Sequence, residues 1–413
     1  MHLDYLLKIR NKIRNWRQIQ GFPEDIKNHI NRDKKGIMGF DPGHDRAIEE
    51  GIGWLCRAQD FSKTADGGVA RHYSMFDGWS SSYPETTGYI ISTLIDYSQK
   101  CSNRNIEERV ERMLDWLVRI QCPEGGFRGG TITNPSNNPV TFNTGQILLG
   151  LCSSVSIFRQ KYMEAIRKAA DWLVKTQDED GCWRRYPTPF ASPGEKAYET
   201  HVAWALFEAE RIEKGRGYAE KAMKNIRWAL KKITANGWIN DCCLNDRRQP
   251  LTHTIGYFLR GLIEAYHFNN DEQVLDAAIK IANALILAMK NNGHIAGRLN
   301  EKWKGTVKWA CLTGTVQIAY CWIELYKICG ERKYWEAGII ANSYVRRTLL
   351  LDSPDGGIRG GIKGCFPVDG GYGAYLFLNW ACKFFVDSNM LEKEQREKMV
   401  GMKLCGNAEL ISD

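Results

Sequence analysis

Six copies of one turn punctuate the chain, and their spacing constrains the fold more than any other feature. They are Asp66-Gly67-Gly68, Glu124-Gly125-Gly126, Asp180-Gly181-Cys182-Trp183, Asn236-Gly237-Trp238, Asn292-Gly293-His294 and Asp355-Gly356-Gly357. Their first glycines lie 58, 56, 56, 56 and 63 residues apart. The period is too regular for chance, and each interval holds two helices and two connections.

Roughly 20 residues after each turn a second signature aligns as Thr86-Thr87-Gly88-Tyr89, Asn143-Thr144-Gly145-Gln146, Glu199-Thr200-His201-Val202, Thr254-Ile255-Gly256-Tyr257, Gly314-Thr315-Val316-Gln317 and Tyr372-Gly373-Ala374-Tyr375. Each copy opens a run that is apolar nearly all round, such as residues 90–95 or 258–263. Such a helix is expected between two layers. The segments before the turns differ. Residues 105–120 place Ile106, Val110, Met113, Leu114 and Leu117 on one stripe with charges opposite, so this helix has a wet face. The same character recurs at 46–59, 160–176, 216–233, 270–290 and 331–349, with Trp54, Trp116, Trp172 and Trp228 at matching positions.

Six outer and six inner helices bury their apolar faces only if the array closes on itself. The expected fold is therefore all-α, an (α/α)6 toroid with an N-terminal helical extension. The expected divisions are 1–45 for the extension, 46–390 for the toroid and 391–413 for a C-terminal tail.

A net charge of +8 over 413 residues, spread without a block of five like charges, gives no support to a nucleic-acid partner. It suits an anionic small molecule or glycan. The N-terminus lacks the apolar core and small-residue cleavage site of a secretory signal, and the thirteen cysteines are odd in number, several inside expected helices (Cys56, Cys152, Cys321, Cys382). A cytoplasmic protein is expected. Near the N-terminus, Lys8, Arg10, Lys12, Arg14 and Arg17 alternate with Leu6, Leu7, Ile9 and Ile13. This basic helix is either a peripheral contact for a membrane or protein or, more simply, a solvated cap over the toroid.

The outer-to-inner connections are long and the inner-to-outer ones short, so the long-loop face, which also carries the N-termini of the inner helices, is where ligand-binding residues are expected. Helix N-termini favour an anion there. Loop bases reinforce them: Arg71, Arg128, Arg184, Arg185, Arg247, Arg298, Lys308, Arg359 and Lys363. The same loops hold aromatic candidates for stacking on a sugar or steadying a cation, among them Tyr73, Trp79, Tyr83 and Trp183. Trp183 and Trp238, directly after turns, also read as plugs between repeats.

Four titratable side chains break the repeat at helix starts: Glu85, Glu199, His201 and His253. Glu85 follows a proline at a helix start, where a carboxylate also serves as a cap. His253, Tyr257 and Arg260 share one helix stripe; Arg260 could bind a carboxylate while His253 or Tyr257 moves a proton. A buried polar network is the plainer reading of the same three. Asn143 offers an amide to a uronate, and His72 lies beside Arg71 in the first long loop. Metal-ligand spacings such as Cys-x-x-Cys and His-Glu-x-x-His are absent, as are Gly-x-Ser-x-Gly and a Walker loop. No metal and no cofactor are expected.

The turns, above all Gln177-Asp178-Glu179-Asp180-Gly181-Cys182-Trp183, resemble the Q-x-x-D-G-x-W repeats of triterpene cyclases and the glycine-rich turns of protein prenyltransferase β subunits. The resemblance implies the shared αα-toroid. The Asp-x-Asp-Asp acid of those cyclases and an Asp-Asp-x-x-Asp diphosphate site do not occur. The stretch from Gly68 to Tyr73 through Tyr83-Pro84-Glu85-Thr86-Thr87-Gly88-Tyr89 is similar to toroid proteins of polysaccharide biosynthesis. The chain thereby resembles (α/α)6 carbohydrate-active enzymes, namely uronate epimerases, polysaccharide lyases and N-acylglucosamine 2-epimerase-like proteins. That resemblance implies an enzyme of polysaccharide metabolism acting on an anionic sugar or glycan, by proton transfer next to a uronate or by carboxylate-assisted hydrolysis. A terpenoid cyclase or prenyltransferase-like enzyme with a non-standard acid, or a non-catalytic glycan-binding toroid, are the competing expectations.

Overall fold

The structure, a computed structural model, describes residues 19–37 and 39–409. The basic stretch at residues 6–17 lies outside the described residues. Helix α1 spans Glu24–Lys34. Then come six outer helices, α2 (His44–Asp60), α4 (Arg104–Ile120), α6 (Met163–Thr176), α8 (Tyr218–Leu230), α10 (Glu272–Ala288) and α12 (Arg332–Arg346). They alternate with six inner ones, α3 (Pro84–Cys101), α5 (Thr141–Ser153), α7 (Thr200–Ile212), α9 (Thr252–Asn269), α11 (Leu312–Cys329) and α13 (Asn379–Glu409).

The inner helices touch in sequence order from α3 to α13, and α13 returns to α3. The ring is closed. Helix α2, the first outer helix, packs on α13, the last inner one, so the two ends of the chain make the seam. Through Glu409, the segment expected as a tail from 391 is continuous with α13.

The local signatures now have physical causes. The stripe of α4 (Ile106, Val110, Met113, Leu114, Leu117) is buried, and the Asn103 side chain caps the helix by accepting from the Ile106 N–H at 3.4 Å. Glutamines at the ends of outer helices staple neighbours together. Gln121 Nε2 donates to Gly125 O (2.9 Å) and to Ala165 O on α6 (3.0 Å), and Gln59 and Gln177 repeat the pattern. In the first two repeats the threonine of the second signature ties the loop to its helix: Thr87 Oγ1 donates to Tyr83 O (2.8 Å) and accepts from Val69 N–H (3.0 Å), and Thr144 does the same with Val140 O and Phe127 N–H. The glycine that follows admits the next inner helix, since a Cβ on Gly88 would stand 2.5 Å from Ile147 Cα.

The sixth repeat departs from its sequence alignment. Glycines 67, 125, 181, 237 and 293 have φ between +80° and +104°, and a Cβ on each would meet the carbonyl oxygen of the next outer helix, at Arg112, Lys168, Lys224, Lys280 and Ile340. The residue that does this in the sixth repeat is Gly360 (φ +77°), facing Glu50 O of α2, not Gly356. The glycine that fills the role lies four residues beyond the aligned one, 67 residues after Gly293 where the preceding interval is 56. The sixth inner helix likewise begins at Asn379, whereas residues 372–375 remain in the loop.

Short strands link the long loops. β1 (His72–Ser74) pairs with β2 (Gly78–Trp79) and, across the seam, with β7 (Leu376–Leu378); β3 (Arg128–Thr131) and β4 (Asn134–Pro139) form a hairpin, and β5 (Ala310–Cys311) pairs with β6 (Cys365–Phe366). Helix α1 rests on the sixth loop through Ile26, Ile30 and Val368. A buried Lys363–Asp33 ion pair (2.6 Å) fixes it there. Among the described residues, no helix is long and apolar enough to cross a membrane.

Candidate active site

The long loops and the first turns of the inner helices line a cavity of ≈ 120 Å³. Its polar lining includes Arg71 from the first loop, Glu85 in the first turn of α3 and His253 in the first turn of α9, with Thr188 and Thr254. Eight aromatic rings make up most of the rest: Tyr83, Tyr89, Phe142, Phe190, Tyr198, Tyr257, Tyr372 and Trp380.

Proline at the start of α3 sets Glu85 into the first turn. Burial pushes its carboxyl up to about 7, against the pull of the Tyr83 hydroxyl, which donates to Glu85 Oε2 at 2.7 Å, and of nearby Arg71. Glu85 is thus a proton donor poised near neutrality. His253 is pushed the other way. Burial, with Arg298 nearby, lowers its pKa to about 3, leaving a neutral imidazole. Its ring packs against Tyr257 (5.5 Å) and Tyr372 (5.0 Å), and Trp380 Nε1 holds the Tyr372 hydroxyl at 2.9 Å. Burial also raises the Tyr257 phenol. The Arg71 guanidinium lies 5.1–5.4 Å from the rings of Tyr83, Phe190 and Trp380, and among the described residues no carboxylate forms an ion pair with it.

Of the residues singled out from sequence, Glu85, His253, Tyr257, Arg71 and Tyr83 line this cavity. Asn143 is fully buried at the start of α5, beside Tyr83. The other candidates lie elsewhere. His253, Tyr257 and Arg260 do not converge. Seven residues of helix carry Arg260 about 10 Å deeper, into a separate chamber of ≈ 440 Å³ at the opposite, short-loop end. There its guanidinium sits over Trp204 (4.5 Å) and Tyr320 (3.9 Å), with Nε donating to Glu264 at 2.6 Å.

His201 lies between the two ends, its ring 4.7 Å from Tyr257 and 5.0 Å from Trp204. Glu199 is buried without lining the cavity, and burial raises its carboxyl well above the usual range. Arg184 is tied up by Asp178, Asp180 and Glu195. Trp183 is a plug, 2% exposed, its Nε1 donating to Leu173 O at 2.9 Å. Tyr73 and Trp79 serve the seam: Tyr73 donates to Asp355 at 2.5 Å and packs on Trp79, which packs on Trp54. His72 pairs with Leu378 in the same sheet, and burial beside Arg71 lowers it to about 4. Arg247 pairs with Asp241 and Lys363 with Asp33, so Arg71 is the one cation of the expected basic set that lines the cavity among the described residues.

Tyr372, Trp380 and Phe190 were missed. The first two belong to the misaligned sixth repeat, and Phe190 sits in a loop with no repeat partner to mark it.

Comparison with known proteins agrees with this architecture. The family model of the squalene–hopene cyclase C-terminal domain matches residues 86–260. No curated protein matches the chain in sequence. Among solved structures, an unsaturated glucuronyl hydrolase specific for heparin superposes with a TM-score of 0.69 at 14% identity, over 86% of this chain and 98% of that one. Cellobiose 2-epimerase from Bacillus thermoamylovorans B4167 gives 0.67 at 11% identity, over 91% and 100%. A D-mannose isomerase gives 0.67 at 10%, over 85% and 97%. The chain is an (α/α)6 toroid. At such identities the likeness is one of fold.

Proposed function

We propose that this toroid is a carbohydrate-active enzyme that moves a proton on a sugar bearing a carboxylate. The observation carrying the reading is the juxtaposition, in one small cavity, of a carboxyl protonated near neutrality (Glu85), a neutral imidazole (His253) and an arginine without an ionised partner (Arg71). Arg71 binds the substrate carboxylate and stabilises charge that spreads onto it. His253 takes the hydrogen from the adjacent carbon. Glu85 gives a proton back, to that carbon from the other face in an epimerisation, or to the departing glycosidic oxygen in an elimination. Turnover leaves Glu85 ionised and His253 protonated, and exchange with solvent resets both.

Hydrolysis by paired carboxyls is less well served, since Glu85 is the one carboxyl among the described lining residues. The glucuronyl hydrolase and the two sugar epimerase or isomerase structures of like fold support a saccharide substrate. The cavity volume suits a single sugar or a chain end.

The eight rings and the match to a cyclase domain favour a second reading, cyclisation of an isoprenoid through a carbocation. Arg71 opposes it, because a fixed positive charge raises the energy of a cation in the same cavity. The test is incubation in D2O with uronate-containing oligosaccharides and, in parallel, with polyenes and isoprenoid diphosphates. Deuterium at the carbon beside the carboxylate is expected from an epimerisation, and an unsaturated uronate from an elimination. Absence of both from every uronate, with cyclised product from a polyene, would reverse the choice.

A further inference from the structure

We infer that the floor of the cavity reads hydroxyl groups, so that its ligand is a cyclic polyol rather than a carboxylate or hydrocarbon alone. The inference deepens the proposed function and rests on it for the identity of the site. Four side chains carry it: Tyr89 on α3, Asn143 on α5, His253 on α9 and Gln317 on α11. Each lies within the first six residues of its inner helix. They are 1%, 0%, 6% and 5% exposed. Yet the Tyr89 hydroxyl, both amide atoms of Asn143, His253 Nδ1 and Gln317 Oε1 make no well-formed hydrogen bond in the protein, although the Tyr83 and Tyr257 hydroxyls lie beside Asn143, Tyr89 and Gln317.

Their placement is common. Tyr89 and His253 line the cavity, Asn143 adjoins Tyr83, and Gln317 adjoins Tyr257. Gly256 makes room for the last, since a Cβ there would stand 3.0 Å from Gln317 Oε1. Gln146, also buried in the first turns of α5, leaves both amide atoms unpaired as well. Asn342, elsewhere in the core, is by contrast satisfied at both ends: its Nδ2 donates to Ser388 O (3.2 Å) and Glu392 Oε2 (3.0 Å), and its Oδ1 accepts from Ser388 Oγ (2.7 Å).

Buried polar atoms without partners are rare in folded proteins, and a group of them around one cavity calls for a ligand or water that completes them. The atom types specify which. Asn143 Oδ1 and Gln317 Oε1 only accept, so they demand donors, whereas Asn143 Nδ2 demands an acceptor. A carboxylate supplies acceptors alone and a hydrocarbon supplies neither. A hydroxyl supplies both.

The test uses Asn143→Leu and Gln317→Met in the full chain, with D-glucuronate, D-glucose and cyclohexanecarboxylate as probes. Removing a partnerless buried amide is expected to raise the melting temperature of the ligand-free variants by about 1–3 °C. The wild-type protein should bind glucuronate at least tenfold more tightly than cyclohexanecarboxylate, and each variant should lose most of that preference while still binding cyclohexanecarboxylate. A fall in melting temperature or loss of fold in both variants would show structural amides and overturn the inference. So would equal wild-type affinity for glucuronate and cyclohexanecarboxylate, or binding of none of the probes. Glucuronate binding as expected with neither deuterium exchange nor an unsaturated uronate would overturn only the proposed reaction.

Discussion

The two ends of the barrel make an instructive pair. The short-loop chamber is the larger, ≈ 440 Å³ against ≈ 120 Å³, and carries more charge. There, however, the cations are matched: Arg260 by Glu264 (2.6 Å), Lys383 by Asp387 (2.5 Å) and Lys100 by Glu394 (3.1 Å). The long-loop cavity is tighter and mostly aromatic, and its polar groups are left over. Among the described residues Arg71 pairs with no carboxylate, burial holds the Glu85 carboxyl up to about 7, and the amides beneath make no well-formed hydrogen bond. Unmatched polar groups, not volume, set the long-loop cavity apart from the short-loop chamber.

The strongest challenge to this contrast is a pair of carboxyl substitutions. Burial raises both Glu85 (about 7) and Asp96 in the short-loop chamber (about 6), the latter helped by Asp387. Glu85→Gln should lower turnover by about 10²–10⁴-fold, the range of a lost general acid. Asp96→Asn should leave it within about twofold. Deuterium-exchange rates on a uronate substrate measure both, and equal losses would erase the distinction.

Next in size is the arginine pair. Arg71→Met should reduce kcat/KM for a uronate by about 10–100-fold, the worth of a charge-assisted contact, with little change in melting temperature. Arg260→Met should do the reverse, leaving Glu264 without its partner and destabilising the fold by about 3 kcal/mol. Parallel kinetics and urea melts decide.

The pH response sharpens the comparison further. A native Glu85 near 7, against an ordinary 4.5 when unfolded, binds the extra proton in the folded state between those values. Stability should therefore fall as pH rises from about 4.5 to 7, by up to about 3 kcal/mol, and Glu85→Gln should flatten that slope. Turnover that needs the protonated acid should decline as pH passes about 7. Urea melts at pH 5 and 8 and a pH–rate profile check both.

The smallest expected effect belongs to Glu199→Gln. Glu199 is buried away from the cavity, so turnover should be unchanged within about twofold, since its neutral isostere loses no substrate contact. A large loss would mean that the site extends toward α7.

The sequence made the ring legible because its repeats restate local necessities: a glycine where the chain passes a neighbouring carbonyl in all six, a stapling glutamine in the first three, and a threonine that ties loop to helix in several. The sixth repeat was obscured because Asp355-Gly356-Gly357 imitates the motif four residues before Gly360, which performs its role. For the site, position in the chain identified residues at helix starts but not their depth or partners. Arg260 shares the face of His253 yet lies two turns below it. Arg184 and Tyr73 sit in the right loops, but nearby carboxylates claim them, a circumstance fixed only by tertiary packing. Trp380 and Tyr372 were hidden by the register shift.

The seam has a consequence for how the protein is made. Helix α2 emerges first from the ribosome among the ring helices, but its packing partner α13 lies roughly 320 residues later, a delay of roughly 15–65 s at typical rates of synthesis. Throughout that interval the face of α2 around Gly51, which in the finished ring lies against Cys382, Phe385 and Val386 of α13, has no native surface to cover it. The helix translated first is the last to find its place, and a nascent chain stalled before residue 379 would present that bare face to every holdase and protease within reach.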